Sequence, residues 1–139
     1  MARRTFALGD VHGELEHLMR LLSRLPKLDD DDTLVFLGDY IDRGPHSRQV
    51  VEYLRLLPKM TRAKVVTLRG NHEDAWLYVR KHGWTDFVRP PAHGCLAAYR
   101  SYVNGPIPAP GEYACVAERG AFECGVFFPR DGVRWFSSL

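Results

Sequence analysis

The chain has 139 residues, 45% hydrophobic and 26% charged, which fits a folded globular protein and excludes a disordered one. Nineteen basic residues against 17 acidic ones leave a formal net charge of +2, too even to point to nucleic acid or a membrane surface as partner. No stretch reaches the length of a membrane-spanning helix. The apolar run behind Arg3-Arg4 breaks at Gly9-Asp10, so no export signal is read there and a cytoplasmic location is expected.

The expected domain organisation is a single domain over 1–139, with a strand-helix core at about 5–82 and a proline-rich region at about 83–139. Thr5 to Leu8 reads as a short buried strand. Gly13 to Leu25 carries Leu15, Leu18, Met19, Leu22 and Leu25 at helical spacing, and Pro26 marks its end. The acidic run Asp29–Asp32 reads as a solvated turn. Thr33 to Leu37 is the second expected strand. Ser47 to Leu57 is the second helix, with Pro58 as its stop. Lys64 to Leu68 is the third strand and Glu73 to Lys81 the third helix. Strand-helix alternation of this kind predicts βαβ units and a mostly parallel sheet.

The pattern changes after His82. Prolines 90, 91, 106, 108 and 110 interrupt the chain, Leu96 to Val103 reads as a short helix, Val126 to Phe128 as a strand, and Val133 to Leu139 as the start of a helix. Cys95, Cys115 and Cys124 lack paired spacing and read as free thiols. Trp76, Trp84 and Trp135 read as core or interface residues rather than substrate platforms.

Each expected strand runs into a short motif: Gly9-Asp10-Val11-His12-Gly13, then Gly38-Asp39-Tyr40-Ile41-Asp42-Arg43-Gly44, then Gly70-Asn71-His72-Glu73. In a parallel sheet the carboxyl ends of the strands share one edge, where open α/β folds place their sites. Carboxylate, imidazole and amide donors from three loops are therefore expected to converge there. That donor set suits divalent ions such as Mn²⁺, Fe²⁺ or Zn²⁺. Two such ions about 3.5–4 Å apart could clamp a phosphoryl group.

GDVHG, GDYIDRG and GNHE resemble the three signature motifs of the phosphoprotein-phosphatase family of calcineurin-like metallophosphoesterases. The family contains serine/threonine protein phosphatases and diadenosine tetraphosphate hydrolases. The resemblance covers about residues 5–82. It implies an α/β fold with a two-sheet β-sandwich flanked by helices. It also implies two divalent metal ions, manganese first, with Asp10 and His12 on one ion, Asp39 bridging and Asn71 on the second. By the same resemblance His72 is the general acid, Asp42 orients it, Arg43 binds the phosphate, and the nucleophile is a metal-bound hydroxide. The implied substrate is a phosphorylated protein, or alternatively a dinucleoside polyphosphate.

Two later histidines that complete the second metal site in that family have no counterpart here, because the last histidine is His93. His82 and His93 are poor substitutes. The sequence is accordingly expected to be a fragment or an early stop, truncated at the C-terminus relative to the family. A catalytically impaired metal- or phosphate-binding module is the other reading. Self-association through an uncovered sheet is a further expectation. A nucleotide-binding α/β domain is disfavoured, since neither G-x-G-x-x-G nor G-K-[ST] occurs. Arg43 has a competing reading as an ion-pair partner of Asp39 or Asp42. Arg69 is expected to tether acidic residues, His17 to lie on the surface and His46 in a loop.

Overall fold

The computed structural model describes residues 3–139. Strands β1 (Thr5–Leu8), β2 (Thr33–Phe36) and β3 (Lys64–Thr67) form a parallel sheet in the order β1-β2-β3. Helices α1 (Leu15–Ser23) and α2 (Ser47–Met60) are the crossovers between them, and α3 (Asn71–His82) follows β3. The register pairs Leu8 with Phe36 and Phe36 with Thr67, so all three strands end at one level. The three motifs leave the sheet from that shared edge.

Pairing also sorts the two faces. Phe6, Leu8, Leu34 and Phe36 share one face, and Leu34 and Phe36 are wholly buried. Full burial of such a side chain is worth about 1.5–3 kcal/mol. Thr5, Ala7, Thr33 and Val35 share the opposite face and are exposed or only partly buried. Helix α2 buries Val50, Val51, Leu54 and Leu57 as a stripe against the covered face.

Pro58 does not stop α2, which continues to Met60. A proline removes one N–H, and in the last turn the helix absorbs that loss; the Thr61 N–H still reaches the Leu57 carbonyl at 3.2 Å.

The region after α3 is helical: α4 (Thr85–Val88), a 3₁₀ turn (Pro91–His93), α5 (Cys95–Val103), α6 (Val116–Cys124) and α7 (Arg130–Ser138). The strand expected at Val126–Phe128 is not formed. Phe127 and Phe128 instead each place a ring centroid 5.2 Å from that of Trp76, and Tyr99, Tyr102 and Phe122 join the same cluster. Aromatic packing decides that segment, and no strand lies beside it to pair with. Among the described residues there is one sheet, so the second sheet of the expected sandwich is not present in them. The three cysteines are free thiols, Cys95 buried and the other two exposed. No helix is long and apolar enough to cross a membrane.

Candidate metal and phosphate site

The first two motifs are stitched together through their backbones. The Val11 and His12 N–H groups donate to the Asp39 carbonyl at 3.0 and 2.8 Å, and the Gly13 N–H donates to the Tyr40 carbonyl at 2.8 Å. The Gly44 N–H returns to the His12 carbonyl at 2.8 Å. A methyl group on Gly44 would lie 2.3 Å from that same carbonyl oxygen, so only glycine allows the loops to touch.

This stitching forces unusual backbone. His12, Asp39, Asp42 and Arg43 all have positive φ, at 43°, 55°, 70° and 66°. Left-handed conformation costs a non-glycine residue about 1–3 kcal/mol and persists only where the surroundings over-determine it. The strain falls on the very residues that the motifs single out.

The third motif opens α3, and its helix N-terminus is built around two carboxylates. Asp39 Oδ1 accepts the His72 N–H at 3.0 Å. Glu73, wholly buried, accepts the N–H groups of Asp39 at 2.9 Å, Tyr40 at 2.7 Å and Gly70 at 3.0 Å. Negative charge at this end of a helix is favoured by its unpaired N–H groups. Burial pushes the Glu73 carboxyl above its ordinary range, and the three N–H donors only partly oppose that. Tyr40 adds a further tie, donating its hydroxyl to the Leu68 carbonyl at 2.7 Å.

Out of this frame project the side chains of the candidate ligands. His12 Nδ1 bonds the Ile41 carbonyl at 2.8 Å, which places the proton on Nδ1 and the lone pair on Nε2. That Nε2 is buried and has no hydrogen-bond partner. Such an atom is costly unless something coordinates it. Ligand atoms of His12, Asp39 and His72 lie within 4.8 Å of one another. Asp10 Oδ2 lies 3.7 Å from His12 Nε2, with the Asp10 side chain 67% exposed. The Asn71 amide lies against Asp39: its nitrogen can donate to the two carboxylate oxygens at 2.8 and 3.2 Å, and rotation of the amide would offer its oxygen to a shared cation instead. A buried imidazole lone pair beside carboxylate and amide oxygens is the chemistry of a divalent-cation site, so the residues present fit such an ion.

His72 is held from behind. Its Nδ1 meets Asp42 Oδ2 at 2.7 Å, and Asp42, fully buried, also accepts the Trp76 indole N–H at 2.9 Å. Burial works against a charged imidazole, but the hydrogen bond and charge of Asp42 outweigh it, and the His72 pKa lies above the ordinary value. The His12 and His72 rings sit edge to face with centroids 4.7 Å apart.

Arg43 is exposed, and its guanidinium has no carboxylate partner among the described residues; Asp42 is occupied by His72 and Trp76. Its backbone is anchored instead, the Arg43 N–H donating to the Gly94 carbonyl at 3.0 Å. Arg43, Asn71 and His72 line one cleft of about 810 Å³, together with Tyr78, Trp84 and His93. His93 stacks on Phe87 with centroids 5.2 Å apart, and His82 lies tilted against Tyr78 at 4.4 Å; neither belongs to the His12–Asp39–His72 group. Arg69 reaches Asp74 at 3.3 Å and the Ser137 carbonyl at 2.9 Å.

Of the seven residues singled out from the motifs, five lie on the two loops after β1 and β2, and Asn71 and His72 lie in the adjoining first turn of α3. Glu73, Trp76 and Gly94 were not singled out as site residues. Glu73 had a signal, since Glu three residues after a helix N-cap is the place from which a carboxylate reaches back to the cap. Trp76 stands one helical turn after His72, a spacing that puts both on one face.

The model of the calcineurin-like phosphoesterase family matches residues 3–137. The chain belongs to that family. As a calcineurin-like phosphoesterase it is expected to use divalent metal ions, in keeping with the His12–Asp39–His72 group. It is 40% identical over 65 residues to serine/threonine-protein phosphatase PP1-1 of Saccharomyces cerevisiae, covering 47% of this chain and 21% of that protein. A putative serine/threonine-protein phosphatase of Caenorhabditis elegans is 43% identical over 65 residues, 47% of this chain and 14% of that one. The chain therefore spans about a fifth or less of the length of these relatives. Among solved structures, a cold-active protein tyrosine phosphatase superposes with a TM-score of 0.49 at 26% identity, covering 77% of this chain and 34% of the other. A cold-active protein-tyrosine phosphatase from a psychrophilic Shewanella gives the same TM-score at 25% identity, over 91% and 39%.

Proposed function

We propose that the chain carries the catalytic edge of a metal-dependent phosphate monoester hydrolase of the serine/threonine-protein-phosphatase type. The observation that supports this most is the buried, unpartnered His12 Nε2 facing Asp39 and His72. In this reading Asp10, His12, Asp39 and Asn71 would hold the divalent ions. Manganese suits these oxygen and imidazole donors, with iron and zinc as the other choices. When bound, the ions polarise the phosphoryl oxygens and supply an activated water.

The chain's own groups do the rest. Arg43, free of carboxylates, offers its planar fork to the phosphate. His72 keeps Nδ1 engaged with Asp42, which leaves Nε2 as its free nitrogen at the cleft it lines. Asp42 favours the protonated imidazole, which is what a general acid needs. Water adds to phosphorus, the ester P–O bond breaks, and the leaving oxygen takes the proton from His72 Nε2. The products are an alcohol and inorganic phosphate.

The test is turnover of p-nitrophenyl phosphate by the full chain. Activity should appear with Mn²⁺, vanish with EDTA and fail to return in Asp39→Asn. A full chain with no metal-dependent turnover would overturn the proposal.

A further inference from the structure

Trp76 lies wholly buried behind the cleft, one turn after His72 on α3. Its indole N–H is shared between the two oxygens of Asp42, Oδ1 at 2.9 Å and Oδ2 at 3.0 Å. Oδ2 also meets His72 Nδ1 at 2.7 Å, which leaves the indole as the donor to Oδ1. Asp42 is itself sealed from solvent. A sealed carboxylate is tolerated only while its oxygens are met by donors. Without the indole N–H, two oxygens would compete for one imidazole nitrogen, and rotation about the Cβ–Cγ bond of Asp42 would no longer be opposed.

The indole is fixed in its turn by rings. Phe87, Phe122, Phe127 and Phe128 stand edge-on to it, with centroids 5.2 to 6.2 Å away and interplanar angles of 68° to 89°. A methyl group on Gly125 would come within 3.2 Å of the indole, so the backbone between α6 and α7 also packs on it. These contacts come from α4, α6 and the segment before α7, all in the region after α3. A continuous set of contacts thus runs from that region through Trp76 and Asp42 to His72.

We propose that Trp76 is a positioning residue: its N–H sets the plane of the Asp42 carboxylate, and Asp42 so held aims His72 Nε2 at the leaving oxygen. The inference rests on the phosphatase reading above and goes beyond it. Trp76 does not line the cleft and acts only through Asp42. Any buried indole N–H needs an acceptor. Here the acceptor is the carboxylate that already holds the proton donor, so its orientation bears on the reaction. Proton transfer requires hydrogen-bond geometry, and a misplacement of about 1 Å costs about 10²-fold.

The test places two tryptophan analogues at position 76 of the full chain. Benzothienylalanine keeps the shape of the side chain but carries sulfur in place of the N–H. The 5-fluoro analogue of tryptophan keeps the N–H. Turnover of ethyl phosphate and of p-nitrophenyl phosphate is followed with Mn²⁺. The sulfur analogue should lower kcat for ethyl phosphate by about 10- to 100-fold and leave KM within about twofold. The fall for p-nitrophenyl phosphate should be at least about threefold smaller, because a nitrophenolate departs with less help from a proton. The fluoro analogue should retain the native kcat for both esters. Trp76→Phe, which also lacks the N–H, should repeat the split between the esters. Mn²⁺ affinity, read by titration calorimetry, should stay at the native value in every variant. An unchanged kcat with the sulfur analogue, or an equal fall for both esters, would overturn the inference while leaving the phosphatase reading intact. So would a fall of Mn²⁺ affinity in step with kcat, which would mark a packing role. No turnover by the native chain would remove the phosphatase reading and this role together.

Discussion

The Glu73 carboxylate accepts the backbone N–H of Asp39 at 2.9 Å, so the first turn of α3 holds this proposed ligand in its left-handed conformation. The same carboxylate holds Tyr40 and Gly70, joining the second and third motif loops. Glu73→Gln would set an NH₂ group against N–H donors and leave at least one of them without an acceptor. The expected loss is about 1–3 kcal/mol of folding stability, read by urea denaturation. Mn²⁺ affinity should weaken in parallel by titration calorimetry, because the Asp39 loop loses its brace. A variant as stable and as tight as the parent would show that the brace is dispensable.

Asp42 touches both His72 and Trp76 and is sealed from solvent. Asp42→Asn retains the shape but removes the charge that favours a protonated His72. General acid catalysis contributes about 10²–10⁴-fold, and kcat should fall by a factor in that range. KM should change much less, since Asp42 does not face the cleft. The loss should be smaller for p-nitrophenyl phosphate than for an alkyl ester, which relies more on the proton.

The convergence of Asp10, His12, Asp39, Asn71 and His72 was legible because parallel register is a local rule: strands ending in Leu8, Phe36 and Thr67 must deliver their loops to one edge. For Glu73 only its reach back to the Gly70 cap was. An acidic residue at the start of a helix ordinarily faces water, and its three donors include two from a loop more than thirty residues away. Val126-Phe127-Phe128 failed for the opposite reason. Its apolar run satisfies a strand pattern, yet the rings find their partners in Trp76, Tyr99 and Tyr102, contacts between segments distant in sequence. Pro58 misled because a proline stop is a rule for helix interiors, and this one sits in the final turn.

Arg100 is nearly buried between Glu118 at 2.8 Å and Glu112 at 2.6 Å, tying the proline-rich loop to α5 and α6. The hydrogen bond from Arg100 draws the Glu118 carboxyl down from 4.5 to about 2. Asp32 falls likewise from 3.8 to about 2 beside Arg4. Each folded value lies below its unfolded value, so the stabilisation is complete above about pH 4.5 and is lost as pH falls towards 2. Melting temperature should drop steeply between about pH 5 and pH 2.5. Glu118→Gln should lower it at pH 6 and make the drop shallower, as followed by circular dichroism.

Strands β1 and β3 are both edges of the sheet, and the face carrying Ala7 and Val35 is incompletely covered. Unpaired edges and exposed apolar faces favour pairing between copies. Light scattering on this 139-residue chain should show a mass that grows with concentration. Val35→Lys should bring it towards the monomer. A sharp, concentration-independent monomer would rule the association out.

Gly70 tests the interlocking of the loops most directly. A Cβ there would stand 2.2 Å from the Asp39 nitrogen and 2.2 Å from Asp39 Oδ1. Neither atom can retreat. The nitrogen is tied to Glu73 and the oxygen accepts the His72 N–H. Backbone conformation at Gly70 is itself extended and open to any residue, with φ of −88°, so strain of the glycine does not enter. Gly70→Ala should therefore act by collision alone, forcing Asp39 away from α3 at a cost of about 1–3 kcal/mol. Because the displaced group is the carboxylate of a proposed metal ligand, Mn²⁺ affinity should fall by at least tenfold (about 1.4 kcal/mol). Gly120→Ala, where the added methyl meets nothing within 4 Å, is the control and should leave Mn²⁺ affinity where it was. Equal affinities for both variants would mean that Asp39 is not a ligand, since its position could then shift without consequence.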